Sequence, residues 1–457
     1  MLRQLLRGEE RPTIPGDPSQ PRKAIGGCRS IPTRPQFNLT IQDYNKGRKH
    51  PSRTAGYAVR SEVIQEIRKA DRIHRFPAKM SPSLAFSFIT RSREENRPRR
   101  IRFHDPLCGS GTTLLVARSL GLSVSGGDAL YPAVTIARAK LNRLSSTKLW
   151  EMREFGQQLT VSSSSAPKNL WPNYALWFSQ RVLRRLEDLA DSIADIRKEP
   201  FFPHVLTAFF QTIWDTSSAD KSVIVPTRSE YSRRLRRVRP ERVLPIFRQR
   251  LHRIDHAQQA LKALSIEVGT CSINHSNALD EECWPNHRLD LILTSPPYGC
   301  GIDYERAFRL QMRVWAPFMK RRPPAFDLIG RQRPLKDSGL LHENKFANSS
   351  LAMKAPGEDK ERWQMFLQYL EDIQSLLRIS RSRLSRKGRL CIVIGNPQIN
   401  KTRVHLVQLV KQLATNAGFR LEATPSSDKI KTRLQNLRLR SATGPIQREY
   451  LLSLLPN

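Results

Sequence analysis

Residues 101–113, IRFHDPLCGSGTT, give the clearest indication of the fold of this chain. Ile101 and Phe103 alternate with polar residues as in a strand, and this strand runs into Asp105. The glycines that follow lead into residues 112–120, whose apolar spacing predicts a helix. A glycine turn lets backbone N–H groups approach a ligand at the helix N-terminus, and an acidic residue at the strand end can hold a cationic amino group. The stretch therefore predicts an α/β domain whose pocket suits a zwitterionic amino acid.

A second strand and helix follow at once. The strand predicted at 122–125 ends in Gly126-Gly127-Asp128, and Pro132 opens a helix that continues through Leu144. A carboxylate at the end of this strand can accept both hydroxyls of a ribose, although a lone aspartate there can equally cap a helix. The glycine turn before it lacks the lysine of a P-loop and the third glycine of the dinucleotide-binding motif. Both common nucleotide motifs are thereby excluded, and the role of Asp128 stays open.

The α/β pattern continues after a long interruption. Residues 146–264 combine helical patterns with arginine-rich runs and are predicted to be an insertion, and residues 1–55, rich in Pro, Arg, Gly and Ser, a flexible basic tail. The predicted core segments are 56–145 and 265–457. With the first two strands, those expected at 266–271, 289–293, 390–394, 419–423 and 450–455 make seven, alternating with helices that include 366–384 and 404–417. This alternation predicts a doubly wound, mostly parallel sheet.

The second informative motif is residues 289–299, LDLILTSPPYG, an apolar strand that enters a double-proline turn. The two prolines remove two N–H donors and stiffen the turn, so the carbonyls of Ser295 and Pro296 can serve as fixed acceptors for an amino group. Tyr298 adds a flat face on which an extruded base can stack. A rigid turn without further function is the alternative interpretation of an isolated Pro-Pro-Tyr sequence.

The charge of the chain indicates a polyanionic partner. The chain carries 77 Lys and Arg against 41 Asp and Glu, a net charge of +36. DNA or RNA is favoured over a membrane because no apolar run approaches the roughly 20 residues that span a bilayer; an excess inherited from an arginine-rich composition is the alternative. The N-terminus lacks the apolar core of a signal peptide, and the six cysteines lack zinc-binding spacing. We expect a cytoplasmic protein, nucleoid-associated if prokaryotic, with reduced thiols and no metal.

Taken together, the motifs resemble those of the amino-group DNA methyltransferases, which make N4-methylcytosine or N6-methyladenine. DPLCGSGTT (105–113) is similar to that family's cofactor loop, Asp128 to its second acidic motif, TSPPYG to its catalytic loop, and HRFPAKMSP (74–82) to the segment at the methionine end of the cofactor. The strings KGRLCIVIGN and QREYLL resemble its later strands. The resemblance covers roughly residues 70–145 and 265–455 and implies the class I S-adenosylmethionine-dependent methyltransferase fold, which is Rossmann-like.

The resemblance also implies a mechanism and a set of site residues. S-adenosyl-L-methionine would be the cofactor, double-stranded DNA with its target base extruded the substrate, and methyl transfer direct and in line. In that family, a serine directly before the two prolines, as Ser295 is here, favours cytosine N4 over adenine N6 as the methylated atom. The implied catalytic residues are Ser295, Pro296, Pro297 and Tyr298. The implied cofactor-binding residues are Phe76, Pro77, Lys79, Asp105, Pro106, Cys108, Gly109, Ser110, Gly111, Thr112, Asp128 and Asn277.

Some features depart from the family or leave alternatives. Asn277 stands where the family usually has an acidic residue that touches the adenine, and no nucleophilic role is assigned to Cys108 or Cys300. Target recognition is predicted for 146–264, with 300–360 as a second candidate and a purely structural helical cap as the alternative. A tRNA or rRNA amino-group methyltransferase and a nucleic-acid-binding protein with a degenerate core are the competing functions; Ser295 argues against the first. The recognition sequence and a cognate restriction nuclease stay open.

Overall fold

The computed structural model describes residues 54–96, 101–161, 166–223, 225–228, 238–263, 269–299, 302–320, 328–330, 360–399, 402–422, 426–429 and 448–457. The chain divides into two units, Met1–Glu62 and Val63–Asn457. Of the first unit, the described part is the beginning of a helix. The basic tail expected over 1–55 therefore lies, apart from its last two residues, outside the described residues. All residues whose contacts are considered below belong to the second unit.

A mostly parallel sheet forms the centre of the second unit. Its seven main strands are β1 (Arg102–Asp105), β2 (Ser123–Asp128), β3 (Cys271–His275), β4 (Leu289–Thr294), β5 (Leu384–Gly395), β6 (Phe419–Leu421) and β7 (Arg448–Pro456). They are arranged in the order β3-β2-β1-β4-β5-β7-β6, and only β7 runs antiparallel to its two neighbours in this order. The short strand Ser426–Lys429 also pairs with β7, and Gln398–Ile399 pairs separately with Thr402–Arg403. The doubly wound, mostly parallel α/β sheet expected from the sequence is thereby confirmed.

Helices cover both faces of the sheet. Their bounds are α1 (Thr54–Asp71), α2 (Pro82–Asn96), α3 (Thr112–Ser119), α4 (Tyr131–Leu141), α5 (Ser146–Gln158), α6 (Gln180–Asp195), α7 (Phe202–Thr216), α8 (Val243–Ala263), α9 (Tyr304–Ala307), α10 (Arg309–Trp315), α11 (Lys360–Arg383) and α12 (Leu406–Asn416). Single 3-10 turns lie at Tyr174–Leu176, Pro240–Arg242, Glu281–Cys283 and Ala316–Phe318. The apolar faces of α11 and α12 pack on β4, β5 and β7 and form one continuous core.

Two predicted elements differ from the structure. Of the strand expected over 266–271, residues 266–268 lie outside the described residues, and the observed β3 begins only at Cys271 and continues to His275. It pairs in parallel register with β2 from Val124–Cys271 to Asp128–His275. This register places the end of β3 level with Asp128. The helical pattern at 174–178 yields only a 3-10 turn, because Asn173 has a left-handed backbone and Ser179 already caps the next helix, α6.

The predicted insertion forms helices that share a core with the sheet domain. Twelve of the 15 residues of α7 are buried, which is the pattern of a helix enclosed on all sides. This helix packs against α4 of the sheet domain on one side and against α8 on another. Phe209 of α7 is fully buried, with its ring 6.2 Å from that of Trp315. The insertion helices and the sheet domain are therefore expected to unfold together.

Replacing Phe209 by Ala tests this shared core. The cavity should lower the free energy of unfolding by about 3–5 kcal/mol, and calorimetry should show one transition shifted to lower temperature. Trp150→Ala is the matched control, since the Trp150 side chain lies on α5 and is 58% exposed. A new low-temperature transition alongside an unshifted main one would contradict a shared core.

Candidate active site

The glycine turn between β1 and α3 is shaped by two left-handed residues, Gly109 with φ of 53° and Gly111 with φ of 77°. A Cβ at Gly111 would lie 2.9 Å from the Cβ of Ala137 on α4, which is too close for any side chain. At Gly109 it would lie 3.2 Å from the ring of Phe76. Glycine is thus required here both for the backbone conformation and for the close approach of the neighbouring segments.

Asp105 lies at the carboxyl end of β1 and is buried. Its carboxylate accepts hydrogen bonds from the Leu107 N–H, at 3.2 Å, and from the Thr113 hydroxyl. Burial raises the pKa of Asp105 to about 7, although the hydrogen bond from Thr113 acts in the opposite direction. A buried carboxyl group that is costly to ionise by itself gains from a cationic ligand group beside it.

Asp128 lies at the end of β2 and joins the glycine turn to the start of α4. Its Oδ2 accepts the Gly109 N–H at 2.8 Å, and its Oδ1 accepts the Leu130 N–H at 2.9 Å. Burial raises the pKa of Asp128 to about 6. The carboxylate thus organises both backbone turns, and each oxygen retains a further lone pair with which it can accept a ligand hydroxyl.

The glycine turn and the double-proline turn meet at one pocket. This pocket encloses about 350 Å³ of space free of protein atoms, part of it open to solvent. Ser295 from the double-proline turn lines this pocket together with residues of the glycine turn. The predicted site residues that line the pocket are Phe76, Lys79, Asp105, Cys108, Gly109, Ser110, Thr112 and Ser295. The two motifs therefore come together at the carboxyl ends of adjacent parallel strands, where ligands bind in such sheets.

Other predicted site residues lie outside the lining of this pocket. They are Pro77, Pro106, Gly111, Asp128, Asn277, Pro296, Pro297 and Tyr298. Asn277 follows Ser276, whose N–H donates to the Asp128 carbonyl at 3.1 Å, so it stays close to the end of β2. The Asn277 Oδ1 accepts the Leu279 N–H at 3.0 Å, and this side-chain oxygen therefore serves a turn of the chain itself.

The double-proline turn is held in place by hydrogen bonds to β5 and β7. The Ser295 hydroxyl donates to the Val393 carbonyl on β5 at 3.2 Å, and the Tyr298 hydroxyl donates to Oε1 of Glu449 on β7 at 2.9 Å. Burial and the nearby Glu449 carboxylate hold the pKa of Tyr298 well above its usual value. A Cβ at Gly330 would lie 2.4 Å from the Gly299 carbonyl oxygen, so the backbone there lies directly against the turn.

Sequence analysis did not identify several residues of the site. Asp71 and Lys140 lie behind the glycine turn, with Lys140 Nζ 2.7 Å from Asp71 Oδ1. The ring of Phe76 lies 6.2 Å from that of Tyr304 and 5.4 Å from that of Phe308. One signal was present in the sequence: Lys140 interrupts the apolar face of α4 and is fully buried there. A lysine at such a position needs a partner.

The cysteines in the described part of the chain show no nucleophilic or metal-binding arrangement. Cys108 is buried, its N–H donates to the Gly127 carbonyl at 2.9 Å, and burial raises the pKa of its thiol well above the usual value. Within the described ranges the four cysteines are unpaired, and no three His, Cys, Asp or Glu side chains are grouped so that they could hold a metal ion. Cys28 and Cys300 lie outside these ranges.

The described helices include none that is long and apolar enough to cross a membrane.

The chain is similar in sequence to a curated methyltransferase. The chain is 24% identical over 251 residues to the type II methyltransferase M.MvaI of Kocuria varians, a match that covers 50% of this chain and 53% of that protein. The chain thus spans about half the length of this curated relative. No family model matches the chain.

Solved structures similar to this one are also methyltransferases. They include the rRNA methyltransferase AviRa of Streptomyces viridochromogenes, with 12% identity, a TM-score of 0.31 and coverage of 84% of this chain and 88% of that one. TrmN of Thermus thermophilus has 11% identity, a TM-score of 0.33 and coverage of 86% and 53%. The glycopeptide N-methyltransferase MtfA, solved with S-adenosyl-L-methionine, has 8% identity, a TM-score of 0.29 and coverage of 82% and 94%.

The raised pKa of Asp105 predicts a stability change for Asp105→Asn. An acid whose pKa is higher in the folded than in the unfolded protein loses stability as pH rises from about 4 to about 7. The amide avoids this loss, so the variant should be more stable than the native protein at pH 8, by about 1–3 kcal/mol, and the difference should shrink toward pH 4. Denaturant unfolding at several pH values, with the exposed Asp191→Asn as control, measures this. A variant that is less stable than the native protein at pH 8 would contradict the raised pKa of Asp105.

Proposed function

We propose that this protein transfers a methyl group from S-adenosyl-L-methionine to an exocyclic amino group of a base in DNA, with cytosine N4 favoured over adenine N6. The observation that carries the proposal is the shared pocket, which is lined by Ser295 of the double-proline turn together with Asp105 and the glycine turn. A methyl donor and an amino acceptor must meet within such a space. The similarity to a protein named as a type II methyltransferase supports the same activity.

The residues around the pocket fit the cofactor. Asp105 would hold the ammonium of the methionine moiety, since a buried carboxyl with a raised pKa gains from a cation. Backbone N–H groups of the 109–112 turn would approach the cofactor where a Cβ could not be accommodated. Asp128 would accept the ribose hydroxyls, and the segment from Phe76 to Lys79 would close the pocket. When bound, the cofactor supplies an electrophilic methyl group on a sulfonium.

The double-proline turn would orient the amino group that receives the methyl. The Ser295 hydroxyl donates a hydrogen bond to the Val393 carbonyl. Its oxygen would therefore accept an amino N–H, together with the Pro296 carbonyl. Fixed acceptors of this kind favour the positive charge that develops on the nitrogen during transfer. The Tyr298 ring, anchored through Glu449, would stack on the extruded base. No covalent enzyme intermediate is required, which agrees with a buried Cys108 thiol of raised pKa.

DNA is proposed over RNA as the substrate because a serine precedes the two prolines. The excess of positive charge suits either polymer and does not distinguish them. We assign sequence recognition to the insertion, residues 146–264. The exposed side of α8 within it carries polar and basic groups, including Gln249, His252 and Arg253. Most of the second candidate, 300–360, lies outside the described residues.

The proposed activity can be tested in a host free of DNA methylation. After expression of the chain, single-molecule sequencing of the genome should reveal N4-methylcytosine within one recurring sequence. Parallel analysis of tRNA and rRNA from the same cells tests the competing substrate, since new base methylation in RNA with unmodified DNA would overturn the proposal.

Replacing Tyr298 by Ala should separate methyl transfer from cofactor binding. Loss of the stacking face should lower the methylation rate by at least about 10²-fold, whereas the dissociation constant for the cofactor should change by less than about threefold. Tyr298→Phe, which keeps the ring and loses the hydrogen bond to Glu449, is the matched control and should keep measurable activity. If Tyr298→Ala instead prevents cofactor binding, the assignment of the turn to the target base is wrong.

The proposed contact with DNA predicts a steep dependence of affinity on salt. Lys and Arg contacts to phosphates release counterions, so affinity should fall by roughly 10²- to 10⁴-fold between about 50 and 200 mM salt. Fluorescence anisotropy with a labelled duplex measures this. A flat salt dependence would contradict the interpretation of the charge.

A further inference from the structure

A row of three arginines lies on the outer face of the two short helices α9 and α10. Arg306, Arg309 and Arg313 are exposed, and their spacing of three and then four residues places them on one side of a helix. The helical hydrogen bonds continue across the junction between α9 and α10, where the Met312 N–H donates to the Phe308 carbonyl at 3.0 Å. The arginine row is therefore about 10 Å long at 1.5 Å per residue.

The inner face of the same two helices packs against one end of the pocket. Phe308 is buried, and its ring centroid lies 5.4 Å from that of Phe76. The ring centroid of Tyr304 lies 6.2 Å from that of Phe76, and Phe76 lines the pocket. Because the arginine row and these aromatic rings lie on opposite sides of α9 and α10, about one helix diameter, roughly 10 Å, separates the row from the pocket lining.

The insertion fixes the position of the arginine row. Trp177 of the insertion lies beside Arg309, whose guanidinium carbon is 5.6 Å from the centroid of the Trp177 ring. A cation–π contact of this kind holds the guanidinium group in one orientation. On the buried side of α10, the ring of Trp315 lies 6.2 Å from those of Phe202 and Phe209 on α7. The row, the insertion and the pocket therefore belong to one packed body.

The positive charge of this segment is only partly compensated by its own acidic residues. Residues 302–320 contain four basic and two acidic side chains. One acid, Asp303, accepts the main-chain N–H of Arg306 at 2.8 Å and so caps α9. Within the described ranges, no ion pair includes Arg306 or Arg313. Like charges three or four residues apart destabilise a helix, and guanidinium groups bind phosphates through paired hydrogen bonds. A chain of phosphates is therefore complementary to this row.

We propose that the arginine row binds the phosphate backbone of the DNA strand that carries the target base, beside the extruded nucleotide. A row of about 10 Å matches about three successive phosphates of one strand, at 3.4 Å of helix axis each. A base extruded from that strand lies next to the Phe76 end of the pocket. Contacts to phosphates position a strand without reading its sequence, so base readout remains with the insertion. This inference rests on the proposed function.

The first test measures binding of a labelled DNA duplex of mixed sequence by fluorescence anisotropy at several salt concentrations. The double variant Arg306→Gln with Arg313→Gln should bind about 10- to 100-fold more weakly than the native protein at about 50 mM salt. The slope of log affinity against log salt should become shallower by about 2, because each phosphate contact contributes about 0.9.

The matched control is the double variant Arg386→Gln with Lys387→Gln. It removes two exposed positive charges near the start of β5, at the edge of the sheet opposite the pocket. The control should keep the native salt slope and weaken binding by less than about threefold. Both double variants should keep the native dissociation constant for S-adenosyl-L-methionine, which shows that they are folded.

A second test locates the contact on the DNA. In a duplex with the sequence found methylated in cells, neutral methylphosphonates replace the three phosphates next to the target nucleotide. They should weaken binding of the native protein by at least about tenfold, and binding of the double variant Arg306→Gln with Arg313→Gln by less than about threefold, since the charges that pair with those phosphates are already absent. Equal weakening of both proteins would overturn the inference.

Other outcomes separate this inference from the proposed function. An unchanged affinity and salt slope in the double variant overturns the inference. A duplex RNA of the same sequence is measured in parallel, and a loss of RNA binding with unaltered DNA binding also overturns it. If the double variant loses affinity and slope for DNA while the native protein methylates no base, the DNA contact stands and the proposed activity is wrong.

Discussion

The parallel pairing of β1 with β4 brings the two turns of the candidate site together. Phe103 stands beside Leu291 in this pairing, so the two strands end at the same edge of the sheet. The chain turns away through glycines after β1 and through prolines after β4. Because both turns leave the sheet at the same edge, they line one pocket. The chemistry is divided between them, because the glycine turn offers N–H donors and a buried acid, whereas the proline turn offers acceptors. Neither turn makes a site alone.

Much of this arrangement could be predicted from local sequence. The strand-glycine-helix unit at 101–120 and the strand before the double proline were found close to their observed bounds, because apolar alternation, glycine and proline act within a few residues. The expected position of β3 was wrong by several residues, since its register with β2 is a long-range choice that apolar pattern does not encode. In the same way, β5 begins at Leu384, well before its most apolar part, because its first residue already pairs with Leu289.

The less predictable part of the site consists of residues brought in from distant segments. Asp71, Lys140 and Glu449 reach the site through contacts with motif residues, and Gly330 approaches through its backbone. None of these has a local pattern that indicates a ligand-binding role, and a charged residue in a helix is usually solvated. Only the placement of Lys140 on a buried helix face was informative, and it indicated a partner without indicating which one. The motifs could therefore be predicted as sites, whereas the groups that orient them could not.

Because the chain is synthesised from its N-terminus, the hydrogen bond from Tyr298 to Glu449 can form only late in synthesis. Glu449 belongs to β7, which follows the other six main strands along the chain and inserts between β5 and β6. A ribosome has therefore synthesised the glycine turn, the insertion and the proline turn well before the residue that anchors Tyr298 emerges. Until β7 enters the sheet, the nascent chain holds the proline turn without this hydrogen bond, and Tyr298 gains its anchor only when the last main strand pairs.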